Sequence, residues 1–196
     1  HYRLSGFDHL GTRLFTRDLD PAENTLSLYF GDLDGDGTRE MFAVTLLASS
    51  VNLHAFAADG NELPGYPRAL HTLSGEYLPF GPPVVADLDG DRDLEILIGT
   101  WSSGTARVRA FHHDAGACAG FPVTVGTNHQ LFYLGLGDLT GDRVPELIVT
   151  GKILSSDYRV YAMDLATGGT LPGWPYVLPS WPEGFPTVAD VDDDGY

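Results

Sequence analysis

Lysine is nearly absent from this 196-residue chain, and 11 Lys and Arg together face 27 Asp and Glu. No stretch gathers positive charge, which excludes a surface built to meet phosphates, and with it nucleic acid as a partner. The single cysteine, Cys118, excludes an intrachain disulfide and leaves the redox compartment unspecified. No apolar run is long enough for a membrane span. Helical periodicity is missing throughout. What is present is 43% hydrophobic residues, 24 Gly and 13 Pro, the composition of a folded, turn-rich protein rather than a disordered one.

The net charge of -16 has a local origin. Asp87-Leu88-Asp89-Gly90-Asp91-Arg92-Asp93-Leu94-Glu95 is an acidic stretch between the short β-branched runs Val84-Val85-Ala86 and Ile96-Leu97-Ile98. It reads as strand, acidic loop, strand. The stretch recurs at 32–40, at 138–146 and, cut short, at 190–196, a period of 51–55 residues. Sixteen of the acids lie in these four loops, and the remaining 11 balance the 11 Lys and Arg. Carboxylates at loop positions 1, 3, 5 and 9 repel one another, and a hard divalent cation with oxygen ligands offsets that repulsion best.

A second marker recurs in phase with the first. It runs from Phe56 to Pro67, from Phe111 to Pro122 and from Met163 to Pro175. Each copy is a strand end, a Gly/Asp turn, then Gly-aromatic-Pro at Tyr66, Phe121 or Trp174 opening another strand. Phe7-Asp8-His9-Leu10-Gly11 resembles its start. Each repeat therefore holds four short strands. The first is expected at Leu26–Phe30, Met41–Leu46, Asn52–Phe56 and Tyr66–Leu70. The second is expected at Pro83–Leu88, Ile96–Gly99, Arg107–Phe111 and Phe121–Val125. The third is expected at Phe132–Gly137, Leu147–Thr150, Tyr158–Met163 and Trp174–Leu178, and residues 186–191 begin a fourth.

A period near 50 with four antiparallel strands per unit predicts an all-β fold, a partial β-propeller of about three to four blades whose A–B hairpin loops are the acidic ones. The expected division is 1–20 for the tail of a preceding blade, 21–75, 76–127 and 128–180 for blades, and 181–196 for the start of another. The aromatics Tyr66, Phe121 and Trp174 are expected to wedge between blades. The first residue is His1 rather than Met, and Tyr196 falls inside a motif. Both ends are expected to continue into a longer protein.

Phe80-Gly81-Pro82-Pro83 leading into Val85-Ala86-Asp87-Leu88-Asp89-Gly90-Asp91, with the same pattern at Phe185-Pro186-Thr187-Val188-Ala189-Asp190, resembles the FG-GAP/VCBS repeats. These are calcium-binding propeller repeats of integrin α subunits and many secreted bacterial proteins. The resemblance covers essentially the whole chain. It implies side-chain ligands at positions 1, 3, 5 and 9 and a backbone carbonyl from position 7. Those are Asp32, Asp34, Asp36, Thr38 and Glu40; Asp87, Asp89, Asp91, Asp93 and Glu95; and Asp138, Thr140, Asp142, Val144 and Glu146. The truncated fourth loop offers Asp190, Asp192 and Asp194. About three complete Ca²⁺ sites are thus implied, the third weakened by Thr140. Arg92 and Arg143 stand where Gly37 and Gly195 supply positive φ easily. Secretion or a cell-surface, bacterial setting is implied as well.

An EF-hand also begins D-x-D-x-D-G but needs Glu at position 12, where this chain has Ala43, Ile98 or Val149. Solvated hairpin turns alone favour Asp and Gly, but four copies in phase argue for a bound ion. With dissociation constants of about 10⁻⁴ to 10⁻³ M for extracellular modules, tenfold calcium excess contributes about 1.4 kcal/mol per site, roughly 4 kcal/mol for three. The ions then hold blades together and do no chemistry. His112-His113-Asp114 reads as a polar turn before a metal site. Ser49-Ser50, Ser102-Ser103 and Ser155-Ser156 read as turn residues, since no nucleophile elbow surrounds them. Cys118 reads as a small core residue. At the other end of the blades, Tyr77, Trp101, Asn128, His129, Tyr158 and Trp181 mix aromatic and polar groups. They are read either as a recognition surface for a protein or polysaccharide or as blade packing. The functional expectation is a non-enzymatic binding or adhesion-type scaffold. Its alternatives are the propeller part of a secreted polysaccharide lyase or hydrolase, and a lectin.

Overall fold

The computed structural model describes residues 3–78, 81–127, 129–153 and 157–190. Among these residues the chain is all-β, with fourteen strands in four antiparallel sheets and no helix. It divides into two compact units. One comprises His1–Ser74, Asp89–Leu94 and Phe111–Gly116, and the other Gly75–Leu88, Glu95–Ala110 and Ala117–Tyr196.

In the first unit, β1 (Arg3–Phe7) pairs β2 (Arg13–Asp18) around the turn that Asp8 closes by accepting the N–H groups of Leu10 and Thr12. The four-stranded sheet runs in chain order through β3 (Glu23–Gly31), β4 (Glu40–Leu47), β5 (Ser50–Phe56) and β6 (Arg68–Thr72). The inner strands β4 and β5 are buried almost continuously, because both of their faces are covered. Their β-branched and aromatic residues suit that setting. Phe42 and Phe56 are fully buried, each contributing about 2–3 kcal/mol of transfer free energy. Phe56 and Ala43 pack with Leu4, Phe15 and Leu19 of the N-terminal hairpin region.

The second unit holds two sheets, again in chain order. One contains β7 (Val84–Ala86), β8 (Glu95–Ser102), β9 (Thr105–Phe111) and β10 (Val123–Thr127). The other contains β11 (His129–Gly137), β12 (Glu146–Ile153), β13 (Tyr158–Met163) and β14 (Tyr176–Leu178). One core joins them, in which Leu97, Val108 and Cys118 meet Leu147, Val149 and Met163. Cys118 is thus the buried core residue that the sequence suggests. Ser103 and Gly104, both at positive φ, make the tight β8–β9 turn. Pro186 and Val188 lie against Gly135 and Gly137 of β11, so closely that a Cβ on either glycine would come within 3 Å of them.

Two expectations on strands are corrected. Tyr66, Phe121 and Trp174 do not open strands. β6, β10 and β14 start two residues later, because Pro67, Pro122 and Pro175 have no N–H to give a ladder. Residues 186–190 form no strand, since no described segment pairs with them in a ladder; Val191 lies outside the described residues.

Candidate metal loops

The loops at 32–40, 87–95 and 138–146 are built alike. Position 4 is Gly35, Gly90 or Gly141 and position 6 is Gly37, Arg92 or Arg143, and all six residues have positive φ. Glycine does this freely; the two arginines do it against steric resistance of about 1–2 kcal/mol each. Two left-handed residues in six coil the chain so that side chains at alternate positions turn toward one another.

Position 9 has a role that spacing alone did not reveal. Glu40, Glu95 and Glu146 are all buried. Each accepts the backbone N–H of loop position 2: Leu33 to Glu40 at 3.0 Å, Leu88 to Glu95 at 2.7 Å, Leu139 to Glu146 at 2.6 Å. The carboxylate closes the loop at its base with one oxygen. Burial pushes the Glu40 carboxyl up. The Leu33 N–H opposes this, and the negative charges of Asp34, Asp36 and Asp32 reinforce it.

In the first loop, Asp32, Asp34 and Asp36 each bring one carboxylate oxygen within 4.8 Å of the others. Asp32 Oδ2 accepts the Gly37 N–H at 3.0 Å, while its Oδ1 is buried without a hydrogen-bond partner. A buried acceptor with nothing to accept is costly. The three converging carboxylates offer hard oxygens, a donor set that fits Ca²⁺. Thr38, at position 7, is exposed and donates its N–H to Asp36 at 2.6 Å. A cavity of about 400 Å³ lies beside this loop, lined by Asp34, Asp36, Thr38, Glu40, Tyr66 and Arg68 among others.

The second loop brings together Asp89, Asp91 and Asp93 within the same 4.8 Å. Here position 7 contributes a carboxylate. Asp93 is buried and meets His113 Nδ1 at 2.8 Å through Oδ2. Hydrogen bonding to the Asp93 carboxyl pushes exposed Asp91 up; the Asp93 N–H opposes this, and burial and the charges of Asp93 and Asp89 add to it. Asp87 at position 1 is half-buried.

The third loop differs. Asp138 accepts three N–H groups, from Thr140 at 3.2 Å, Gly141 at 2.7 Å and Arg143 at 2.8 Å. Burial raises its carboxyl, but the N–H groups of Arg143, Gly141, Thr140 and Asp142 outweigh that and hold it below the usual range. The Thr140 hydroxyl donates to Glu146 at 3.4 Å, and Val144 donates its N–H to Asp142 at 2.8 Å. Asp138, Asp142 and Glu146 do not converge as the other two sets do. In the fourth loop Asp190 is exposed; Asp192 and Asp194 lie outside the described residues.

His112-His113-Asp114 forms a hairpin turn, with Asp114 accepting the Gly116 N–H at 2.7 Å. At the other end of the second unit's strands, Tyr77 stacks on Trp101 at 4.8 Å and Tyr158 meets Trp181 edge-on at 5.7 Å. Tyr77 keeps 60% exposure and Trp181 40%. Asn128, Ser155 and Ser156 lie outside the described residues. One more cluster, around His54, carries no sequence signal, since its members are far apart in the chain and share no motif.

Comparison with curated proteins and with solved structures returned no match. Among family models, the one described as FG-GAP-like repeat matches residues 32–98, from the first residue of the first acidic loop into β8. The segment that contains the first two acidic loops is therefore similar to the FG-GAP-like repeats.

Proposed function

We propose that this chain is a calcium-stabilised β-propeller segment of a secreted or cell-surface protein, acting as an adhesion-type binding or scaffold module. The sheets of β3–β6, β7–β10 and β11–β14 serve as its blades. The observation that carries the reading is the convergence of the Asp32, Asp34 and Asp36 carboxylates, with Asp32 Oδ1 buried and without a hydrogen-bond partner. The carboxylates of Asp89, Asp91 and Asp93 also converge, one period later. In the first loop Asp32, Asp34, Asp36 and Glu40 hold the ion, with Thr38 giving its carbonyl. In the second the ligands are Asp87, Asp89, Asp91, Asp93 and Glu95. Asp138, Thr140, Asp142, Val144 and Glu146 form a weaker third site, and Asp190, Asp192 and Asp194 belong to a fourth. The ion supplies charge neutralisation and a fixed loop shape; the protein oxygens fill most of its coordination, which argues for structure rather than catalysis. Titration calorimetry with Ca²⁺ tests this. Two comparable sites and one weaker one are expected, with a rise in Tm; no heat and no thermal shift in millimolar Ca²⁺ sinks the reading.

The partner is a protein or polysaccharide docked at the end of the strands opposite the acidic loops. Exposed Tyr77 and Trp181, each backed by a second aromatic ring, favour a flat sugar face or an apolar side chain. A glycan array reads this directly: uniformly absent binding leaves the protein ligand and removes the lectin.

A further inference from the structure

We propose that Glu23, His54 and Glu62 form a proton-operated latch, in which a doubly protonated His54 ring ties β3 and β5 to the 57–63 turn and, through Arg17, to the β1–β2 hairpin. His54 Nδ1 lies 2.7 Å from Glu62 Oε1 and Nε2 lies 3.2 Å from Glu23. A neutral imidazole donates from one nitrogen only; its other nitrogen would turn a lone pair on a carboxylate. Two ionised carboxylates, one at each ring nitrogen, match a ring with two N–H groups.

The surroundings fit that charge state. Glu23 is 5% exposed and is held by two further side chains, the Thr45 hydroxyl of β4 at 3.1 Å and the Asn52 amide of β5 at 3.4 Å. Glu62 accepts Arg17 at 3.4 Å on its other oxygen. Two carboxylates, one guanidinium and one imidazolium balance to zero. Removing the ring proton leaves one negative charge uncompensated among largely buried groups, a costly state. Asp18 and Asp20 face the same region; Asp18 is paired with Arg3 at 2.7 Å and Asp20 accepts the Ala22 N–H at 2.8 Å. The Phe56 ring lies parallel to the His54 ring with centroids 6.0 Å apart. A cavity of about 330 Å³, lined by Arg17, Asp20, Glu23, His54, Phe56 and Glu62 among others, gives water a route by which the proton leaves.

The latch is independent of calcium and of the acidic loops. NMR on the full 196-residue chain reads it, with His54→Gln used to assign the ring. With the latch closed, both His54 nitrogens are expected to carry protons. Alkaline titration should remove one of them. The same step should shift the amides of β2 and the 57–63 turn and speed their exchange about tenfold, the loss expected for one charge-assisted hydrogen bond. Arg17→Met should abolish the β2 response and leave the ring's own titration in place. A ring that carries a single proton while the latch is closed, or one that loses its proton with β2 unmoved, overturns the proposal. An Arg17→Met protein whose β2 still responds overturns it too.

Discussion

The first and third acidic loops place an aspartate at the same position and use it in opposite ways. Asp32 gives one oxygen to the Gly37 N–H and leaves the other buried without a partner. Asp138 gives both oxygens to the backbone, accepting three N–H groups. The first loop therefore keeps one buried carboxylate oxygen unsatisfied, with its carboxylates crowded and Glu40 pushed up. The third is nearly complete by itself, with Asp138 held low. A motif that looks the same in one-letter code can be a ligand cage or a self-closed turn, and the residue at position 3, Asp34 against Thr140, separates the two.

Replacing the buried glutamate is expected to have the largest effect and to blur the difference. Glu40→Ala and Glu146→Ala both orphan a backbone N–H, of Leu33 or Leu139, and should each cost about 1–3 kcal/mol in urea unfolding without calcium. A loss confined to one of them would break the shared-base picture. Calcium sharpens the contrast. Asp32→Asn should remove about 1.4 kcal/mol of the stabilisation seen at tenfold calcium excess, Asp138→Asn should remove less, and Thr140→Asp should tighten the third site. Calorimetry on the three variants orders them.

The two loops also respond to acid with opposite signs. Asp138 has a folded pKa below its ordinary value of 3.8. Its contribution is present above that value and lost as pH falls through the lowered one. Glu40 has a folded pKa above 4.5. Without calcium its ionised form disfavours folding, so stability falls as pH rises from 4.5 through the raised value. Glu40→Gln should flatten that part of the ion-free pH–stability curve and Asp138→Asn should flatten the more acid part. If the two swap, the electrostatic contrast is wrong. The smallest effect is expected at position 6, where Arg92→Gly and Arg143→Gly relieve a left-handed backbone. Part of the gain is returned as chain entropy, leaving up to about 1 kcal/mol in each Tm or urea midpoint.

The strands and loops were legible because burial imposes periodicity and turns need Gly and Asp. Val84-Val85-Ala86 before an acidic loop and Ile96-Leu97-Ile98 after it could hardly be anything else. The loop glycines and arginines at positions 4 and 6 were legible for the same reason, through their φ. The base-closing role of Glu40, Glu95 and Glu146 was not, since a carboxylate at position 9 reads equally well as a ligand, and only packing shows which oxygen the backbone takes. The contact of the Asp93 side chain with His113 was not legible either; no spacing rule links residues 93 and 113. Glu23, His54 and Glu62 were invisible because they meet only once β3, β5 and the 57–63 turn are assembled.

The bare backbone at Gly135 and Gly137 carries a lesson for reading such chains. Two glycines on alternate positions of a strand expose a furrow one side chain wide, and here Pro186 and Val188 rest in it, some fifty residues downstream. Missing methyl groups can thus act as the footprint of a distant segment, marking where the chain will cross before any contact is known.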